Sequence, residues 1–210
     1  MSRQFRMYRG SVILGGMMAA GLLGLPSTVA AQTASQASVV RATLAGTSVL
    51  GIPLPGTTTA LGDTGALPLG TTGALQASSV ADSVPNILSA DALHATVIGL
   101  PDDVSSEASL GSLGLFVAGN SITADFILAQ ARAVAGSGGS AGSEIDGLVI
   151  NGVGVAVTGA PNQTLPIIGG RIVLNEIQNG TGGATVNALH LILTDGIADV
   201  VVATASAAIP

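Results

Sequence analysis

The chain contains no cysteine, no tryptophan and no lysine, and aromatic residues make up only 2% of its 210 positions. Without cysteine there are no disulfide bonds or thiolate metal sites, and without lysine there is no lysine-based covalent catalysis. The shortage of aromatic rings removes the large stacking surfaces that would favour a sugar-binding site. Alanine, valine, leucine, isoleucine and glycine must fill the core, which predicts closely packed layers of small side chains.

Charge is sparse and mainly negative. Twelve acidic residues stand against six basic ones, for a net charge of −6. Three of the basic residues are Arg3, Arg6 and Arg9, so the rest of the chain carries three basic residues against twelve acids, a net charge of −9. A surface of this sign is repelled by phosphate backbones and by anionic lipid. Nucleic acid is therefore excluded as an expected partner.

The N-terminal segment has the pattern of a secretory signal peptide. Its basic start is followed by Ser11–Leu25, an uncharged and mostly apolar stretch of 15 residues, and by small residues around Ala31. This order predicts export with cleavage after Ala31. The alternative, an uncleaved membrane anchor, would need roughly 20 apolar residues to span a bilayer. We expect a signal peptide at 1–31, no membrane span after cleavage, and a secreted, cell-surface or periplasmic location.

The remainder of the sequence predicts β-strands separated by turn residues. Asn151-Gly152 between apolar segments indicates a type I′ hairpin turn, in which both central residues have positive φ. One segment, Ile122–Val134, is rich enough in alanine to allow a helix, but its alternation favours a strand. The predicted strands are Ser38–Ala45, Ala90–Ile98, Ser109–Val117, Ile122–Val134, Gly147–Thr158, Arg171–Glu176, Thr185–Thr194 and Asp199–Ile209.

This pattern predicts an all-β fold, an antiparallel β-sandwich built of long hairpins, as a single domain at 32–210. Residues 51–84, rich in proline, threonine and glycine, are expected to form a long ordered excursion with at most one short strand. Weak internal echoes, such as Ala92-Leu93-His94 and Ala188-Leu189-His190, leave a short β-solenoid open as an alternative. We prefer repeated hairpins within a sandwich.

Several short motifs, taken together, resemble a known family. They are Asp63-Thr64-Gly65, Ser106-Glu107-Ala108-Ser109, Ile122-Thr123-Ala124-Asp125-Phe126, Gly159-Ala160-Pro161-Asn162-Gln163-Thr164, Val173-Leu174-Asn175-Glu176 and Val186-Asn187-Ala188-Leu189-His190. Spread over roughly 38–209, they resemble the bacterial choice-of-anchor P proteins. The resemblance implies a secreted, surface-associated protein with no assigned activity. Such proteins are named for varied C-terminal sorting signals, and this sequence shows none before Pro210, so we expect it to be released or held by partners.

His94 and His190 are the only histidines, and each follows an Ala-Leu pair. Histidine can serve as a metal ligand or as a catalytic base. A metal site usually needs at least three converging ligands, and the sequence does not identify a third. The alternative for both is a half-buried strand residue that donates to a neighbouring carbonyl group.

Two acidic clusters are candidate calcium ligands because calcium binds carboxylate oxygens on loops of extracellular modules. The candidates are Asp102, Asp103 and Glu107 in one cluster and Asp195 and Asp199 in the other. Neither cluster matches an EF-hand or a nonapeptide calcium repeat. The alternative is that these are solvated acidic turns, so calcium is a possible cofactor and no other cofactor is indicated.

Asn175-Glu176 closes an apolar segment and is the sharpest polar pair in the sequence. As a glycosidase acid, Glu176 would need a second carboxylate roughly 5 to 10 Å away. The alternative is that Glu176 pairs with an arginine, or that Asn175 stabilises the next turn by bonding its own backbone. The sequence contains no nucleophile elbow, phosphate loop, dinucleotide fingerprint or His-Glu-x-x-His motif.

These observations predict a non-enzymatic structural or interaction module outside the cell, such as a matrix, coat or adhesion component. Its expected partners are further copies of itself or cell-surface material, because long small-residue strands with free edges can template pairing. Two alternatives stay open: a calcium-dependent binding module, and a secreted polysaccharide hydrolase that uses Glu176.

Overall fold

The computed structural model describes residues 34–45, 48–49, 52–53, 56–194 and 196–210. The predicted signal peptide and its cleavage site lie outside the described residues. The strands are β1 (Ala34–Leu44), β2 (Ser48–Val49), β3 (Ile52–Pro53), β4 (Thr57–Asp63), β5 (Leu67–Pro68), β6 (Gly73–Val84), β7 (Leu88–Leu100), β8 (Asp103–Val117), β9 (Asn120–Val134), β10 (Gly138–Asp146), β11 (Val149–Ile150), β12 (Val153–Gly154), β13 (Gln163–Ile167), β14 (Gly170–Gly180), β15 (Gly183–Leu193) and β16 (Ala198–Ala208).

Two antiparallel sheets pack face to face, which confirms the predicted β-sandwich. Sheet A has the order β13-β14-β15-β16-β1-β4, with β5 beside β1, and sheet B has the order β12-β11-β9-β8-β7-β6, with β10 beside β9. β2 and β3 pair with each other as a separate two-stranded sheet. The largest fully buried side chains are leucine, isoleucine and valine, as the shortage of aromatics required. None of the described residues forms a helix of the length and apolarity that crossing a membrane requires.

Several local predictions are confirmed. The segment Ile122–Val134 is strand β9, and its inward side chains are alanine and isoleucine while Gln130 and Arg132 face solvent. The alanines therefore serve close packing between the sheets and not a helix. Asn151 and Gly152 both have positive φ, at 52° and 79°, as a type I′ turn requires.

Other local predictions are wrong. The expected strand Gly147–Thr158 is only the short hairpin β11–β12, because the Asn151-Gly152 turn interrupts it and residues 155–158 leave the ladder. The expected excursion at 51–84 contains β4 and β6, the latter of 12 residues. Small polar side chains occupy both faces of β6, so hydrophobic alternation gave no signal for a strand.

In both sheets, the alternation of inward and outward side chains along the strands is interrupted at the same level of the sandwich. We call this interruption the face switch. In sheet A, two consecutive residues of a strand point inward there, and in sheet B two consecutive residues point outward. The inward pairs are Val39/Val40, Ala188/Leu189 and Val202/Ala203, and the outward pairs are Asp91/Ala92, Gly111/Ser112 and Asp125/Phe126. Positive φ values at the switch interrupt the two-residue period on several of these strands, and they occur at Gly62, Ala92, Ser112, Asn175 and Ala203.

The face switch leaves the strands in register. The pairing of β1 with β16, of β15 with β16 and of β8 with β9 continues in the same register on both sides of it. The switch therefore changes which side chains face the core without adding a residue to one strand relative to its neighbour. Ser38, on the outer face of sheet A next to the switch, is only 2% exposed.

We expect Ala92→Gly to raise stability by about 1 kcal/mol, because Ala92 is exposed and has a φ of 51°. A left-handed conformation costs an alanine roughly that amount and costs glycine almost nothing. Urea denaturation would measure the change. Ala74→Gly on β6, at an exposed strand position, is the matched control and should lower stability, and a loss at both sites would contradict the backbone strain assigned to Ala92.

Candidate functional site

A connected cluster of polar side chains lies on the outer face of sheet A and is centred on His190. The Nδ1 atom of His190 on β15 lies 2.8 Å from Oε2 of Glu176 on β14. Its Nε2 atom lies 3.1 Å from Oδ1 of Asp199 on β16. The side chain of His190 is only 15% exposed, whereas that of Asp199 is 53% exposed. One imidazole ring therefore links three adjacent strands.

Hydrogen bonds extend this cluster along the next row of the sheet. The Nδ2 group of Asn187 donates to Oε2 of Glu176 at 2.7 Å, and Thr204 Oγ1 donates to Oδ1 of Asn187 at 2.9 Å. Glu176, Asn187 and Thr204 are cross-strand neighbours on β14, β15 and β16. We call Glu176, Asn187, His190, Asp199 and Thr204 the His190 network.

The surroundings of the ring favour its protonated form. Both partners of His190 are carboxylates, which accept hydrogen bonds, and only the imidazolium form can donate to both of them at once. The hydrogen bond to Glu176 raises the pKa of His190 above its usual range, although burial opposes the rise. The same hydrogen bond lowers the pKa of Glu176, against burial and with help from Asn187. The two groups therefore hold each other in their charged forms.

Other charges flank the His190 network on each side. The positive charge of Arg171 on β14 also lowers the pKa of Glu176. On β1, Arg41 pairs with Val201, the cross-strand neighbour of His190, and its guanidinium lies 3.3 Å from Oδ2 of Asp63. Asp63 also accepts from Gln36 at 2.6 Å. The outer face of sheet A thus carries a continuous row of paired polar groups.

We expect stability to fall as the pH rises from 6 to 8. The raised pKa of His190 adds stability that is complete below about pH 6.5 and is lost as the pH rises through the folded pKa. The lowered pKa of Glu176 adds stability that is complete above about pH 4.5 and is lost as the pH falls through the folded pKa. Both contributions are complete only between those two values. Chemical denaturation across this range would measure the effect.

His190→Gln should flatten the decline between pH 6 and 8 and cost about 1 kcal/mol at pH 6, allowing for solvent screening of the partly exposed partners. His94→Gln is the matched control, because His94 is the only other histidine and lies on β7 in sheet B. An unchanged pH profile in His190→Gln would contradict the charged network.

The first group of calcium candidates does not converge on one point. Asp103 and Glu107 were expected on a loop, but they lie four residues apart on strand β8. The segment forms a strand because its alternate residues Val104, Ser106 and Ala108 are buried. Four residues of strand span roughly 13 Å. Asp103 pairs with Arg132, Nε to Oδ1 at 2.9 Å.

The remaining candidates are similarly dispersed. Glu107 accepts from Gln130 at 2.8 Å beside a shallow groove of about 510 Å³ on sheet B. Asp102 lies in the turn before β8, Asp199 belongs to the His190 network, and Asp195 lies outside the described residues. Among the residues that the structure describes, no three His, Cys, Asp or Glu side chains are grouped to hold a metal ion.

Asn175 does not bond its own backbone as one alternative had it. Its Nδ2 group donates to the carbonyl oxygen of Gly159 at 2.9 Å, and Ser143 Oγ donates to its Oδ1 at 3.0 Å. Asn175 has a φ of 51° at the face switch, a conformation that asparagine tolerates better than most residues. It therefore ties the segment after β12 to β14 and to β10.

Asn120 has a structural role that its sequence context does not indicate. Asn120 is fully buried at the start of β9. Its Nδ2 donates to the carbonyl oxygen of Ile168 at 2.9 Å, and its Oδ1 accepts from the Ile168 backbone amide at 3.0 Å. Ile168 lies in the β13–β14 turn of sheet A, so this side chain joins the two sheets. A turn asparagine and a buried asparagine give the same local sequence signal.

Comparisons of this chain with models of protein families, with curated proteins and with solved structures find no match.

Proposed function

We propose that the chain is an exported, non-enzymatic structural or interaction module that works outside the cell through its sheet surfaces and strand edges. The main support for the proposal is that the carboxylates considered as catalytic or calcium-binding groups are hydrogen-bonded within the sheets. Glu176, Asp199, Asp103 and Glu107 each accept a hydrogen bond from a side chain on a neighbouring strand. Charged groups used in this way stabilise the sheets and give a polar, ordered surface.

The same contacts favour this function over a hydrolase. A glycosidase acid needs a raised pKa so that it carries a proton at neutral pH. The pKa of Glu176 is lowered instead, first by its hydrogen bond with His190. Its Oε2 atom is also occupied by Asn187. Glu176 is therefore suited to holding strands together.

The choice-of-anchor P resemblance supports the same proposal. Three of the motifs on which the resemblance rests contribute residues to the outer face of sheet A. The first contributes Asp63, the second Glu176, and the third both Asn187 and His190. Through Ser38 and Thr204, the residues Asp63, Asn187 and Glu176 lie in one cross-strand row. A secreted location, as that family implies, agrees with the predicted signal peptide.

The test is light scattering with size-exclusion chromatography on residues 32–210, with calcium and with a chelator, together with binding to cell-surface material. We expect concentration-dependent assembly, or binding to surface material, that is the same with calcium and with the chelator. A strict monomer that binds no surface material would overturn the proposal. A size or melting temperature that changes only with calcium would favour the calcium-dependent binding module instead.

The hydrolase alternative has its own test. The mature protein and its Glu176→Gln variant would be assayed side by side on a panel of polysaccharides. We expect no hydrolysis by either protein. Hydrolysis by the unmodified chain that the variant loses would replace the structural proposal with an enzymatic one.

A further inference from the structure

We infer that strand β6 is a self-association edge, which pairs antiparallel with β6 of a second copy of this chain. The inference deepens the proposed function and rests on it, because it names the partner and the surface of assembly. A free strand edge exposes unpaired N–H and C=O groups, and a second strand satisfies them. Among the described residues, β6 pairs with β7 alone, so its other edge is free to pair.

The other sheet edges are shorter than β6. β6 contacts β4 and β5 of sheet A, but β7 is the only described strand that is hydrogen-bonded to it. At the far side of sheet B, β12 has two residues, and β10 packs against β14 and β15 of sheet A. In sheet A, β13 has five residues and contains Pro166, which cannot donate to a ladder, and β4 has seven. β6 has 12 residues and no proline. It is the longest free edge in the described part of the chain.

The composition of β6 favours a partner strand. Its first nine residues, Gly73–Ala81, carry no charge, and Asp82 is the only ionisable group on the strand. Proteins that protect a long edge place lysine, proline or an inward charge on it. The uncharged stretch has none of these, and the one charge on the inward side of β6, Asp82, lies beyond its end. Val80 is 88% exposed, which is the largest exposure among the large apolar side chains of the described residues.

The partner is a second copy in antiparallel orientation. Parallel pairing in register would set Asp82 beside the Asp82 of the other copy, in a protein whose net charge is already negative. Antiparallel pairing separates the two carboxylates to opposite ends of the interface. A two-fold axis perpendicular to sheet B produces this arrangement and keeps the inward faces of both copies on the same side.

The pleat restricts the register. Over 73–80, where the side chains of β6 alternate without interruption, inward residues must oppose inward residues. Each residue number and its partner's must then add to an even number, and one residue faces itself. Ala77 is the midpoint of the uncharged stretch. With Ala77 facing itself, Val80 of one copy lies opposite Ala74 of the other, so the most exposed apolar side chain meets an apolar neighbour.

The absence of cysteine makes a direct test possible, because one introduced thiol is the only thiol in the chain. Ala77→Cys should form a disulfide-linked dimer under mild oxidation at least ten times faster than Ala81→Cys. Facing residues of an antiparallel pair have Cα atoms about 4.5 to 5.5 Å apart, within disulfide reach. In the Ala81→Cys control, the two introduced thiols would lie eight residues apart along the paired strands, roughly 27 Å. Equal rates for the two variants would overturn the inference.

A second variant keeps the inference testable without a thiol. Ser78→Lys places a charge on the exposed face of β6 within the interface and should weaken self-association at least tenfold in sedimentation equilibrium. Thr123→Lys, on the exposed outer face of β9, makes the same change in net charge and should not weaken it. Both variants reduce the negative charge of the protein, so general repulsion would predict tighter association for both.

The outcomes separate this inference from the proposed function. Assembly that persists in Ser78→Lys, without rapid crosslinking of Ala77→Cys, would overturn the β6 interface and leave the structural module in place. A chain that neither assembles nor binds surface material would overturn both. Rapid crosslinking of Ala77→Cys with loss of assembly in Ser78→Lys is the expected result.

Discussion

Gly139→Ala is expected to lower the free energy of unfolding by about 3 kcal/mol, at the upper end for overpacking a close contact. Gly139 is the second residue of β10, where that strand of sheet B passes directly over Gly183 at the start of β15 in sheet A. A Cβ atom on Gly139 would overlap the carbonyl group of Gly183 and the amide nitrogen of Ala184. These are backbone atoms of a paired strand, so no side-chain rotation relieves the overlap.

Gly142→Ala is the matched control for Gly139→Ala. Gly142 lies on the same strand, and a Cβ atom there meets no other atom within 4 Å. Neither glycine has a positive φ, so backbone conformation does not distinguish them. We expect Gly142→Ala to leave stability unchanged or to raise it by up to about 1 kcal/mol. Urea denaturation of both variants is the measurement, and equal effects would contradict a close approach of the two sheets at Gly139.

Asn120→Ala is expected to cost about 3 kcal/mol. The substitution removes a buried side chain that makes two hydrogen bonds with the Ile168 backbone and one, at 3.3 Å, with Asn151. The backbone groups of Ile168 and the side chain of Asn151 then lose their hydrogen-bond partner. A buried polar group without a partner lowers stability by more than the hydrogen bond had added.

Thermal and chemical unfolding of Asn120→Ala would be compared with Asn179→Ala, which removes an exposed asparagine near the end of β14. The control should change stability by less than about 0.5 kcal/mol, as is usual for surface positions. A cost below about 1 kcal/mol at Asn120, the value of a single ordinary hydrogen bond, would mean that the two sheets do not depend on this link.

The sequence predicted the fold class because turn chemistry and strand composition are local properties. Asn151-Gly152 and the alternation in Ile122–Val134 needed no information from distant parts of the chain. The strand β6 was not predicted because alanine and serine fit either face of a sheet equally well. Its sequence therefore shows no alternation of apolar and polar residues. The same ambiguity concealed the start of β8, where acidic residues suggested a loop.

The candidate site was only partly predictable. Glu176, His190 and Asp199 were each selected from the sequence, but for separate roles in catalysis, metal binding and calcium binding. Their convergence depends on the register of β14 with β15 and of β15 with β16, which is set by core packing and not by local residues. Glycine was equally ambiguous, because Gly136-Ser137-Gly138-Gly139 gives one turn signal although only Gly139 is required by contact with another sheet.

The different outer faces of the two sheets would give a pair of copies joined through β6 two chemically different sides. A two-fold axis perpendicular to sheet B places both sheets A on one side of the pair and the outer faces of both sheets B on the other. One side then displays both His190 networks with their paired charges, and the other displays Phe126 and the outward side chain of Val80 from each copy. A layer built from such pairs would have a distinct inside and outside, so its orientation on a surface would follow from the difference between the two sheets of a single chain.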